Sequence, residues 1–106
     1  MWLTCDPRKD AENLRRHGVS LTFAAALDWD TALVWIDDRF DYAELRMIAL
    51  APESRTLYYV AFVDREDERR IISLRRATRR EVVSWRVAPE RALVQSYHRR
   101  DLGRCR

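Results

Sequence analysis

Leu57-Tyr58-Tyr59-Val60-Ala61-Phe62-Val63 is apolar at odd and even positions alike. A strand with one wet face alternates; one that does not is covered on both sides and belongs in the middle of a sheet. Outward from it, residues 32–36, 45–50 and 70–75 also read as strands, short and apolar or alternating. Polar turns separate the four: Asp37-Asp38-Arg39, then Pro52-Glu53-Ser54-Arg55, then Arg65-Glu66-Asp67-Glu68-Arg69. Turns this short imply antiparallel neighbours. Trp2–Cys5 is a candidate for one more short strand.

Helices flank this sheet. Asp6 is a good N-cap, Pro7 suits the first helical position, and Gly18 supplies a left-handed stop, which predicts a helix over 7–17. Its apolar face is thin, Ala11 and Leu14, and Val19 is placed to meet Leu14 at the stop. Ser20 caps a second helix expected over 21–29, with Phe23, Ala26 and Leu27 facing the core. Thr78-Arg79-Arg80-Glu81 is a capping box that opens a last helix. Pro89 should break it, Glu90 to His98 can form a turn or two, and 99–106 reads as a frayed basic tail. The expected class is α+β: two N-terminal helices, a four-stranded antiparallel sheet and a C-terminal helix.

The chain has 106 residues, enough for one domain and too few for two. Its formal net charge is +3, but the charge is unevenly spread. Residues 1–64 carry seven cations against eleven anions; residues 65–106 carry thirteen Arg against six anions. A basic C-terminal half points to a polyanion partner, and nucleic acid is the leading class. Cys5 and Cys105 have no zinc spacing and make no disulfide framework, so a reducing cytoplasm is expected. No apolar run reaches the length of a membrane span, and the first residues lack the pattern of a signal peptide.

The usual catalytic constellations are missing. His17 and His98 have no metal-ligand spacing, Ser73 no nucleophile elbow, and two glycines make no phosphate loop. The acid pairs Asp28/Asp30 and Asp37/Asp38 read as solvated loop charges. What remains is arginine: Arg69, Arg70, Arg75, Arg76, Arg79 and Arg80, with no acid among residues 69–80. If the hairpin centres on Asp67, Arg65 faces Arg69, Val63 faces Ile71, Ala61 faces Ser73 and Tyr59 faces Arg75. One sheet face then carries Tyr59, Ser73 and Arg75 at one end and Arg65 with Arg69 at the other, about 20 Å away. The helix start at Arg79 lies just beyond Arg75 and favours phosphate. Turn acids neutralise Arg65, Arg69 and Arg70 more easily than Arg75, Arg76, Arg79 and Arg80, so the latter group is the expected patch.

Several segments together resemble the BrnT toxin family. They are Asp6-Pro7-x-Lys9, Asn13-Leu14-x-x-His17-Gly18-Val19-Ser20-Leu21-x-x-Ala24, Asp41-Tyr42-Ala43-Glu44-Leu45-Arg46, and above all Arg70-Ile71-Ile72-Ser73-Leu74-Arg75-Arg76-Ala77-Thr78-Arg79-Arg80-Glu81. They span about residues 3–85 in order. The resemblance implies a single domain over 1–106 with residues 89–106 as a C-terminal extension, and a RelE-like fold. It implies a type II toxin that cleaves RNA without cofactor or metal, inhibits translation and is neutralised by a BrnA-like antitoxin. DNA contact would come only through the antitoxin complex, and no membrane is involved. Arg65, Arg75 and Arg79 are the expected catalytic phosphate contacts, with Lys9, Arg76, Arg80 and Tyr59 binding RNA. Arg stays protonated and makes a poor base, which leaves Glu44, Glu81, His17 and Lys9 as candidates for that role. The alternative is a noncatalytic nucleic-acid- or partner-binding domain with the same fold.

Overall fold

Thr56–Arg65, the longest strand, is the middle of the sheet, as its two-sided apolar pattern requires. In the computed structural model, which describes residues 1–88, the strands are β1 (Trp2–Cys5), β2 (Leu33–Ile36), β3 (Met47–Glu53), β4 (Thr56–Arg65) and β5 (Glu68–Arg76). The helices are α1 (Pro7–His17) and α2 (Arg79–Arg86). The spatial order is β1-β5-β4-β3-β2, antiparallel throughout except for β1, which runs parallel to β5. Tyr58, Val60 and Phe62 of β4 are buried on one face, where the core also takes in Leu3, Leu21, Trp29, Ile71 and Leu74. Leu57, Ala61 and Val63 are buried on the other. The readings of Pro89, of Glu90 to His98 and of residues 99–106 lie outside the described residues.

The expected fold, two N-terminal helices before a four-stranded antiparallel sheet and a C-terminal helix, is corrected in two ways. Trp2–Cys5 is a fifth strand, and its parallel pairing makes the sheet mixed. The second helix over 21–29 is two 3₁₀ turns, Leu21–Ala26 and Trp29–Thr31. The reason is the period. Leu21, Ala24 and Leu27 are the buried positions, spaced by three as a 3₁₀ helix requires, while Ala26 is exposed. Trp29 follows into the core and donates Nε1–H to the Ala24 carbonyl at 2.9 Å.

The β4–β5 hairpin is tighter than expected. Its loop is Glu66-Asp67, so Arg65 pairs with Glu68, Asp64 with Arg69 and Phe62 with Ile71. Neither Arg65–Arg69 nor Val63–Ile71 are partners. Ile72 is then an extra residue at a bulge, after which Ala61 meets Ser73 and Tyr59 meets Arg75 as expected. Glu66 takes a left-handed φ of 49° to close the loop. Such a conformation normally calls for Gly or Asn, and neither is present to signal a two-residue turn. One residue of register changes the face on which a side chain lies. Arg69 is accordingly turned into the core.

Helix α1 starts and stops as its caps predict: Asp6 accepts the Arg8 amide at 2.9 Å, and Gly18 sits at φ 74°. Its docking is polar, however. Ala11 and Leu14 are exposed, and Asn13 is the buried residue of the helix. The Asn13 amide donates to the Leu74 carbonyl at 2.7 Å and to the Val19 carbonyl at 2.9 Å, and accepts the Leu74 N–H at 3.1 Å. It thus satisfies the edge of β5 beyond the end of β1.

Candidate functional site

The β-sheet register defines the site. Side chains two residues apart on a strand share a face, so Tyr59 and Leu57 of β4 lie with Ser73 and Arg75 of β5 and with Ile48 of β3. The loop 37–46 flanks this face at one side and α2 at another. Arg75 is its centre. Its guanidinium carbon stands 3.8 Å from the Tyr59 ring centroid, and its Nη1 and Nη2 donate to the two Glu81 carboxylate oxygens at 2.9 and 3.0 Å. Trp35 meets Tyr59 edge-on at 6.5 Å. Glu81 also closes the capping box, accepting the Thr78 amide at 2.8 Å. The Arg75 hydrogen bonds hold the Glu81 carboxyl below its ordinary value, and Glu81 in turn raises Arg75.

The other expected residues are distributed around this centre. Arg79 and Arg80 are exposed on the first turn of α2, just beyond Arg75. Arg65 shares the Tyr59 face but lies about 20 Å along β4. There it donates Nε–H to Glu44 at 2.6 Å, in a bidentate ion pair that holds the Glu44 carboxyl low. Arg76 alternates to the opposite face beside Tyr58. There a cavity of about 630 Å³ is lined by Phe23, Tyr58, His17, Ser20, Thr22 and Arg76. Lys9 lines a separate cleft of about 250 Å³ between α1 and β5, with Glu12, Arg16, His17, Arg46 and Ser73. Ser73 connects the cleft to the Arg75 centre, about 6.6 Å away along the strand. Among the described residues, no group of three His, Cys, Asp or Glu side chains is placed to hold a metal. No helix there is long and apolar enough to cross a membrane.

The family model described as the ribonuclease toxin BrnT of type II toxin–antitoxin systems matches residues 5–81. The chain belongs to the BrnT family. Membership brings ribonuclease function in general, an RNA substrate and an antitoxin partner. No functionally curated protein matches the chain. The BrnT match closes on Glu81, the carboxylate that clamps Arg75, so the whole Arg75 centre falls inside the family span.

Within this BrnT fold, three residues outside the expected site help to build it. Asp37 organises the loop 37–46, accepting from Arg39 Nε at 2.8 Å and Tyr42 Oη at 3.1 Å, while its amide donates to the Arg46 carbonyl at 2.8 Å. Its carboxyl is held down at about 2, chiefly by Arg39. Arg46 stacks over Tyr42 at 4.7 Å and reaches the α1 cleft. Asn13 pins α1 to β5. In sequence Asp37 looks like half of a solvated acid pair, whereas in the fold it is buried.

Proposed function

We propose that this protein is the toxin of a type II pair, a metal-independent endoribonuclease that inhibits translation and is neutralised by a BrnA-like antitoxin. Membership of the BrnT family supports the ribonuclease class. The observation that carries the reading to particular residues is the Arg75–Tyr59–Glu81 cluster beside the start of α2. Arg75 is pre-oriented: the clamp and the ring leave it few conformations to lose when a phosphate binds. A guanidinium holds a substrate phosphate through paired, charge-assisted hydrogen bonds. Arg79 and Arg80 extend positive charge past the α2 N-terminus, and Tyr59 offers a ring to a base. Arg65, at the far end of the face, contacts a more distant phosphate, while Lys9 and Arg76 serve the flanking cavities.

Induction of the isolated chain in a bacterium is expected to stop growth. Co-expression of a BrnA-like antitoxin should restore it, and Arg75→Ala should relieve the arrest while the variant remains folded. Normal growth with soluble full-length protein would overturn the toxin reading. RNA binding that persists without cleavage would favour the noncatalytic alternative.

A further inference from the structure

Two cavities meet at the C-terminal end of α1, and His17 lines both. The 250 Å³ cleft is cationic: Lys9, Arg16 and Arg46 converge there, and its one acid, Glu12, is paired with Arg16 at 3.5 Å. The 630 Å³ cavity is aromatic and hydroxylic, with the Phe23 and Tyr58 rings 5.1 Å apart and Ser20, Thr22 and Arg76 around them. One side suits a phosphate, the other a base, and the residue between them is an imidazole.

The helix fixes that residue in place. Lys9, Glu12, Asn13, Arg16 and His17 fall at helical spacing on one face. Asn13 anchors this face to β5 one turn before His17, and Gly18 ends the helix directly after it. Neither a hydrogen bond nor an ion pair engages the exposed His17 ring among the described residues. The rival carboxylates are committed elsewhere. Glu44 and Glu81 are each held ionised by a bidentate arginine, which makes them weak proton acceptors. Lys9 carries its charge for phosphate. Imidazole is the side chain whose chemistry allows it to take up and release a proton near neutral pH.

We propose that His17 is the general base of RNA cleavage, acting on a nucleotide that straddles the end of α1. This rests on the ribonuclease reading above. The base lies in the Phe23–Tyr58 cavity and the reacting 3′-phosphate in the Lys9–Arg46 cleft, which puts the ribose 2′-hydroxyl at His17 and leaves Arg75, beyond Ser73, to hold a neighbouring phosphate. The 2′-hydroxyl passes its proton to the imidazole, and the 2′-oxygen bonds to phosphorus. The bond from phosphorus to the 5′-oxygen breaks, that oxygen takes a proton from water, and His17 returns its proton to the hydroxide so formed. The products end in a 2′,3′-cyclic phosphate and a 5′-hydroxyl. Lys9 and Arg16 face His17 from α1, Arg46 from the loop 37–46, Glu12 from α1 and Arg76 from β5.

The test is single-turnover cleavage of an RNA oligonucleotide by the purified full chain between pH 5 and pH 8. His17→Gln should slow cleavage by about 100-fold or more and flatten the rise of rate with pH. RNA affinity and the denaturation midpoint should stay close to wild type. An RNA with a single 2′-deoxy nucleotide at the cut position should resist wild-type protein. His17→Gln protein that cleaves at the wild-type rate with the wild-type pH profile overturns the proposal, as does cutting at the deoxy position, while the ribonuclease reading survives either result. Wild-type protein that binds RNA but cuts none overturns that reading, and His17 falls with it.

Discussion

Arg69 shows how far one side chain can depart from what its composition implies. It belongs to the basic run, yet it is fully buried. Its Nε and Nη2 donate to Asp64 at 2.6 and 2.8 Å, and its guanidinium carbon lies 4.0 Å from the Phe62 centroid and 4.7 Å from that of Trp29. The two rings and the ion pair replace part of the lost hydration, while Nη1 is buried without a hydrogen-bond partner among the described residues. Arg69→Ala removes the charge and leaves a hole, and should cost about 3–5 kcal/mol. Arg69→Met fills the volume and leaves only a part-exposed Asp64, and should cost clearly less. Urea denaturation of both variants checks this. An alanine variant within about 1 kcal/mol of wild type would mean that the buried pair adds little. The nearby turn acids set Arg69 and Arg70 apart from Arg75, but nothing in the pattern marks Arg69 as buried, because burial here follows from a register set by the Glu66-Asp67 turn.

At the scale of elements, legibility followed the range of the determining contact. Helix α1 and the start of α2 were readable because caps act within three or four residues: Asp6 on Arg8, Thr78 on Glu81. The segment after Ser20 was misread because Phe23, Ala26 and Leu27 also fit a 3.6-residue period, and only the core showed that the period is three. Strand β1 was a bare candidate, since a parallel partner lies some sixty residues away in sequence. The α2 cap also has a functional consequence. No residue of α2 is buried, so its first turn depends heavily on the box, and the same Glu81 holds Arg75. Thr78→Ala should weaken α2 by about 1 kcal/mol. Faster hydrogen exchange in α2 and reduced RNA cleavage should appear together. Faster exchange with full cleavage would separate the cap from the site.

Three carboxylates in separate parts of the fold are shifted in one direction. Arginine hydrogen bonds lower Asp37, Glu44 and Glu81 alike. A carboxylate lowered by folding adds stability above its unfolded value, and that contribution is lost as pH falls through the folded one. Stability should therefore hold near neutrality and decline from about pH 4 downward, where unfolded carboxyls begin to take up protons. For Asp37 the decline continues to about 2. Thermal midpoints measured from pH 7 to pH 2 should show Asp37→Asn less stable at neutrality and shallower in its acid loss. A variant as acid-sensitive as wild type would remove Asp37 from that account. By itself the sequence determined the central strand, both capped helix starts and the family, because each rests on local spacing or on side-chain pattern along one segment; the Tyr59–Arg75 pair needed the bulge at Ile72 to offset the tighter turn. The tertiary structure alone decided that β1 completes a mixed sheet, that Arg69 lies inside while Arg75 lies at the site, and that Lys9, His17, Arg46 and Ser73 share a cleft. Those outcomes depend on strand register and on contacts between distant segments, and a single bulge at Ile72 is enough to change which face a side chain occupies.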